Sequence, residues 1–112
     1  MSTSTVERLE RAAASIDLDR RDLARVLDAN PRTVSRWLNG EAAPRPGARE
    51  RLLEVIAVLE RLSATLRPAA AHDWLFTPNE SLDYYKPVDL LREGEVRRVL
   101  GAIDALAEGV FV

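Results

Sequence analysis

Five side chains between positions 32 and 39 carry the hydrogen-bonding groups that read nucleic-acid bases: Arg32, Thr33, Ser35, Arg36 and Asn39. In a major groove an arginine fork reads guanine bidentately, asparagine reads adenine, and a threonine or serine hydroxyl reaches a base edge or a phosphate. Arg20, Arg21, Arg45 and Arg49 flank this run and are placed to touch phosphates, which position a protein without specifying sequence. The same arginines would also suit a solvated helix face, so the surrounding pattern has to decide. The rest of the chain offers little other chemistry. It has no cysteine and a lone histidine, His72, which has no sequence neighbour for a metal site or a triad and reads as a solvent-facing or capping residue. With no glycine-rich phosphate loop either, enzymatic activity, a cofactor and a metal site are not expected.

The elements that must hold those five residues are helices. Apolar residues at Val6, Leu9, Ala13 and Ile16 recur at spacings of three and four, after a polar, disordered lead-in over 1–5. Asp19 can cap a second helix with a face of Leu23, Ala24, Val26 and Leu27. Asn30 can cap a third, with Pro31 at its first position and Asn39-Gly40 at its end. The run EAAPRPG reads as a loop. A long helix follows, Ala48 to Leu66, which at 1.5 Å per residue reaches ~28 Å and can bridge two halves before Pro68 stops it. Thr77-Pro78-Asn79 stops any helix begun at Asp73. Pro87 starts a short helix that breaks near Gly94, and Glu95–Ala107 shows a clean helical period closing at Leu106. No segment alternates with period two. The fold class is all-α.

Charge divides the chain. Its 112 residues hold 16 Lys+Arg and 18 Asp+Glu, yet Arg20–Arg51 carries eight arginines against four acids, and the stretch from Asp73 onward carries eight acids against four bases. Two surfaces with different partners are implied. No apolar run approaches the ~20 residues of a membrane-spanning helix, and the start does not resemble a signal peptide, so a cytoplasmic protein is expected.

The stretch DLARVLDANPRTVSRWLNG has apolar anchors at Leu23, Leu27, Ala29, Val34 and Trp37, a small Ala24 where two helices would cross, and a short turn at Asp28. It resembles the helix-turn-helix of Xre/Cro-type DNA-binding domains, although Asp28 stands where glycine is usual. Aspartate tolerates left-handed angles better than most residues. The agreement of anchors, turn and outward polar set favours DNA contact over a merely solvated face, and such motifs commonly work as two-fold pairs.

From Asp73 the order is Trp74-Leu75, Pro78-Asn79, Leu82, Pro87-Val88-Asp89-Leu90-Leu91, Gly94-Glu95, a helix and Gly109. That series resembles the toxin-binding domain of the Xre/MbcA/ParS type II antitoxins, most of all the MbcA branch, whose toxins have a RES domain and consume NAD. Where family members often carry glycine, this chain has Asp83-Tyr84-Tyr85-Lys86. The resemblance implies a helix-turn-helix bundle with its long linking helix over 6–67 and a small helical toxin-binding domain over 68–112. It also implies toxin contact by Trp74, Phe76, Tyr84, Tyr85 and the apolar tail Gly109, Val110, Phe111 and Val112, with the tail plugging the toxin's cleft. The residues by themselves equally allow Trp74 and Phe76 to be core, since aromatics dominate small cores. The implied function is an antitoxin that blocks a cognate RES-domain toxin and represses its own operon through operator DNA as a homodimer. The alternative is a stand-alone repressor whose second half dimerises or binds a small ligand, with the tail packed on its dimer partner.

Overall fold

Proline sets the rhythm of this chain. In the computed structural model, which describes residues 4–109, four of the seven α-helices begin with proline at their first turn. There the missing N–H is not needed and the fixed φ already suits a helix. The helices are α1 (Thr5–Ala14), α2 (Arg20–Leu27), α3 (Pro31–Leu38), α4 (Pro46–Thr65), α5 (Pro68–Leu75), α6 (Pro87–Arg92) and α7 (Val96–Ala107), with a 3-10 turn at Glu80–Leu82. Among the described residues there is no strand, only an isolated bridge between Asn79 and Tyr85. The chain is all-α, as its periodicity requires.

Several boundaries differ from the sequence reading, each for a local reason. Ser4 and Thr5 are not a loose lead-in: Ser4 Oγ accepts the Glu7 N–H at 3.0 Å and caps α1. Met1–Thr3 lie outside the described residues. Ile16 falls beyond the end of α1, yet the turn folds back and buries it completely. Pro46 opens α4 rather than belonging to the loop. Pro68 both stops α4 and starts α5, because the chain straightens at Leu66 (φ −125°, ψ 154°) and the alanine run after Pro68 is strongly helix-forming. The helix expected near Asp73 is therefore the second half of α5. Leu106 does not close the core stripe of α7; it is 38% exposed, while Val99 and Ile103 are fully buried.

The caps of the second and third helices stand as expected. Asp19 Oδ1 accepts the Asp22 N–H at 2.8 Å, and Asp22 Oδ2 accepts the Asp19 N–H at 3.4 Å, a reciprocal capping box. Asp28 ends α2 in the left-handed region (φ 53°, ψ 46°), and Asn30 begins α3 two residues later. The helix-turn-helix turn is thus built on aspartate.

One continuous core runs the length of the molecule. α4 is its axis: Leu52, Val55, Ile56, Val58, Leu59 and Leu62 are buried, and the helix packs on α1 and on α7. α6 lies along α2, so the second half of the chain rests directly on the first. Each fully buried Leu, Ile or Val contributes about 1.5–3 kcal/mol of transfer free energy. That shared burial holds α3 and the 77–86 loop in a fixed relation.

Candidate functional site

α3 turns Val34 and Trp37 inward, with Val34 fully buried and Trp37 nearly so. The helical step then leaves Arg32, Thr33, Arg36 and Asn39 exposed and Ser35 half-buried, so the five expected base-reading residues share one outer surface. Asn30 Oδ1 accepts the Arg32 N–H at 2.8 Å and fixes the start of that surface. Arg20 behaves differently from a free phosphate contact. Its guanidinium crosses from α2 and donates to Ser35 Oγ at 3.3 Å and to Asn39 Oδ1 at 3.4 Å. Arg20 thereby orients two of the five outward polar side chains. Arg21, Arg45 and Arg49 are exposed, and Arg49 stands on the rim of a groove of about 710 Å³ between the first turn of α1 and the loop before α4.

In the second half the aromatic residues fall into separate neighbourhoods. Tyr84 and Tyr85 are 70% and 52% exposed at the tip of the loop after the 3-10 turn. Asp83 and Tyr84 both have positive φ, 55° and 66°, a backbone region that favours glycine. The turn is held by its own bonds: the Tyr84 N–H donates to Asn79 O at 2.8 Å, the Tyr85 N–H to Leu82 O at 3.0 Å, and the Asn79 N–H to Tyr85 O at 3.1 Å. Arg98 from α7 supports it from outside, paired with Asp83 at 3.2 Å and lying over the Tyr85 ring at 5.9 Å. Tyr85 also lines an acidic hollow of about 410 Å³ with Asp28, Asp89, Arg92 and Glu93.

Trp74 and Phe76 are half-buried against the core. Phe76 lies under the Arg25 guanidinium at 5.0 Å and against the His72 ring at 5.1 Å, which fastens it to α2. Trp74 lines a different groove, with Leu66, Pro78 and Leu106. Gly109 leaves α7 with φ 69°. Val110, Phe111 and Val112 lie outside the described residues.

Beside the Arg61–Asp104 pair between α4 and α7, one ion pair and one hydrogen-bonded histidine contact that sequence reasoning missed join the halves. Arg92 of α6 donates from Nη2 and Nε to Asp28 Oδ1, at 3.0 and 3.3 Å, and so ties the second half to the helix-turn-helix turn. His72 is not simply solvent-facing, because its Nε2 sits 3.1 Å from Asp22 Oδ2, inside the capping box of α2. The partners are 64 and 50 residues apart in the chain, so no local pattern announces them. Asp28 was visible as a turn residue, but its second partner was not, and the capping role of Asp22 emerged only with the structure. Among the described residues no three His, Cys, Asp or Glu are grouped as a metal site, and no helix is long and apolar enough to cross a membrane.

The two halves have counterparts among known proteins. Residues 61–109 match the model of the antitoxin Xre/MbcA/ParS C-terminal toxin-binding domain. Over 101 residues the chain is 42% identical to the mycobacterial cidal antitoxin MbcA of Mycobacterium tuberculosis and of Mycobacterium bovis, covering 90% of this chain and 89% of the relative. The chain belongs to the MbcA family of antitoxins. A probable mycobacterial cidal antitoxin of Mycobacterium tuberculosis is 32% identical over 91 residues, 81% of this chain and 77% of that protein. The fold matches a chain in the crystal structure of the M. tuberculosis MbcT–MbcA toxin–antitoxin complex with a TM-score of 0.87 and 38% identity, over 99% of this chain and 100% of the other. The likeness therefore takes in the helix-turn-helix half as well as the toxin-binding domain, and the protein is an antitoxin of a toxin–antitoxin system.

Proposed function

We propose that this antitoxin binds a cognate RES-domain toxin in the cytoplasm and stops it degrading NAD by filling its active-site cleft, as type II antitoxins act through direct protein contact. The observation that carries this reading is the near full-length likeness to a chain solved in complex with its toxin. Charge supports it: the hollow beside Tyr85 is lined by Asp28, Asp89 and Glu93 against a single Arg92, a surface suited to a basic partner. Tyr84 and Tyr85, exposed on a hydrogen-bonded turn, suit the rigid aromatic anchors that dominate interfaces. Val110-Phe111-Val112 supply an apolar segment for the cleft.

The same molecule, acting as a homodimer, binds operator DNA through α3. Arg32, Thr33, Arg36 and Asn39 are directed outward, and no described element of the second half packs over them. The test is co-expression with a RES-domain protein, sought among the products of the neighbouring genes, followed by NAD consumption of that protein alone, in complex, and with the antitoxin ended at Gly109. Inhibition by the whole chain and its loss on truncation support the plug. Full inhibition by the truncated chain overturns the plug, and failure to co-purify overturns the pairing itself.

A further inference from the structure

Arg20 is the first residue of α2, and its guanidinium crosses to the last turn of α3. Nη1 donates to Ser35 Oγ at 3.3 Å and Nη2 to Asn39 Oδ1 at 3.4 Å. Ser35 and Asn39 stand one helical turn apart, joined by the Asn39 N–H to the Ser35 carbonyl at 2.9 Å, and so share a face. Among the described residues Arg20 enters no ion pair, so no carboxylate draws the guanidinium elsewhere. A guanidinium carries five N–H donors and no acceptor. Of the two ends of the Asn39 amide, only the oxygen can therefore face Arg20, which leaves the nitrogen for the outer side.

We propose that Arg20 is a positioning residue that sets Asn39 to read guanine and not adenine. This rests on the proposed DNA contact of α3. An asparagine grips adenine by turning both amide ends to one base edge, Oδ1 to the N6 amino group and Nδ2 to N7. With Oδ1 turned toward α2, that grip is lost. What remains outward is the Asn39 Nδ2 hydrogens, the Ser35 hydroxyl hydrogen and the guanidinium N–H groups that Ser35 and Asn39 do not take. All of these donate, and the guanine edge offers two acceptors, N7 and O6, in the major groove. The positive charge of Arg20 also disfavours an adenine amino group beside it. Residue type alone points asparagine to adenine; a side chain 19 positions away reverses that choice.

The experiment selects duplexes from a randomised library with the full chain. Competition binding then compares the parent, Arg20→Ala, Arg20→Lys, Asn39→Ala and the Ala double variant, each confirmed folded by circular dichroism. The base pair read by Asn39 is the one whose preference Asn39→Ala erases. There the parent should favour guanine over adenine by about tenfold, and 7-deazaguanine should lose about the same factor. Arg20→Ala frees the amide and should invert the order to adenine, an inversion that the double variant lacks. Arg20→Lys, which also only donates, should keep guanine. A parent that favours adenine there, or an Asn39→Ala variant that erases no preference, overturns the proposal. An Arg20→Ala variant with unchanged base preferences overturns it too, as does an equal loss for every sequence, the mark of a phosphate contact. A parent that binds no duplex at all overturns the DNA contact itself, and this proposal with it.

Discussion

Tyr84→Gly should make this protein more stable while making it a weaker partner, and the opposite signs make the variant informative. Tyr84 has φ 66° and is 70% exposed, so its ring contributes little packing and its backbone sits in the left-handed region. That conformation costs a residue with a Cβ about 1–2 kcal/mol. Glycine removes the cost but gains about 0.4–1 kcal/mol of unfolded-state freedom. The net gain is ~0.5–1 kcal/mol, a rise in Tm of ~2–5 °C for a chain of this size. Tyr84→Ala keeps the strain and loses the ring, so its stability should stay within ~0.5 kcal/mol of the parent. Thermal unfolding followed by circular dichroism, with the three proteins side by side, reads the difference. In the toxin complex both variants should lose affinity by about thirtyfold if the ring is an anchor worth ~2 kcal/mol. A Tm for Tyr84→Gly at or below that of Tyr84→Ala would refute the strain argument, whatever happens to toxin binding.

Four further outcomes follow from the same geometry. Leu59→Ala, at a fully buried position on the axis helix, should cost about 2–5 kcal/mol in urea unfolding, and Trp37 and Trp74 should report the same midpoint because one core joins them. Asp28→Ala should cost about 1–2 kcal/mol by keeping the left-handed angle without its compensations, whereas Asp28→Gly should unfold close to the parent. Arg92→Ala removes only an exposed pair, 43% and 54% accessible, and should lower stability by less than ~1 kcal/mol. For the proposed DNA contact, Arg36→Ala should lose ~1–3 kcal/mol of sequence preference in competition binding. Arg20→Ala should alter preference at the bases nearest Ser35 and Asn39, and a uniform loss across all sequences would show that Arg20 acts only on phosphate.

Much of the helix-turn-helix was legible because its signals are local. Caps, turn and inward anchors depend on residues within four positions of one another, and Asp19, Asp28, Asn30, Val34 and Trp37 all occupy the places their types demand. The prolines were harder. Pro68 reads equally as an end or a beginning, and only the extended backbone at Leu66 makes it both. The aromatics were harder still. Phe76 was open between core and contact surface until its ring met Arg25 of another helix. Family resemblance pointed to a loop between Leu82 and Pro87, but not to Asp83 and Tyr84 taking glycine's backbone angles.

The sequence by itself determined an all-α chain with a basic first half, an acidic second half and an outward set of polar and basic residues on α3. Helix periodicity, capping and charge are properties of near neighbours, and so they survive being read in one dimension. Only the tertiary structure decided that the two halves are one body, sharing one core and bridged by Arg92 on Asp28, His72 on Asp22 and Arg61 on Asp104 across 64, 50 and 43 residues. It also decided that Leu106 stands on the rim of an open groove instead of closing the core. Burial depends on which helix faces come to face each other, and that is settled by packing between segments far apart in the chain.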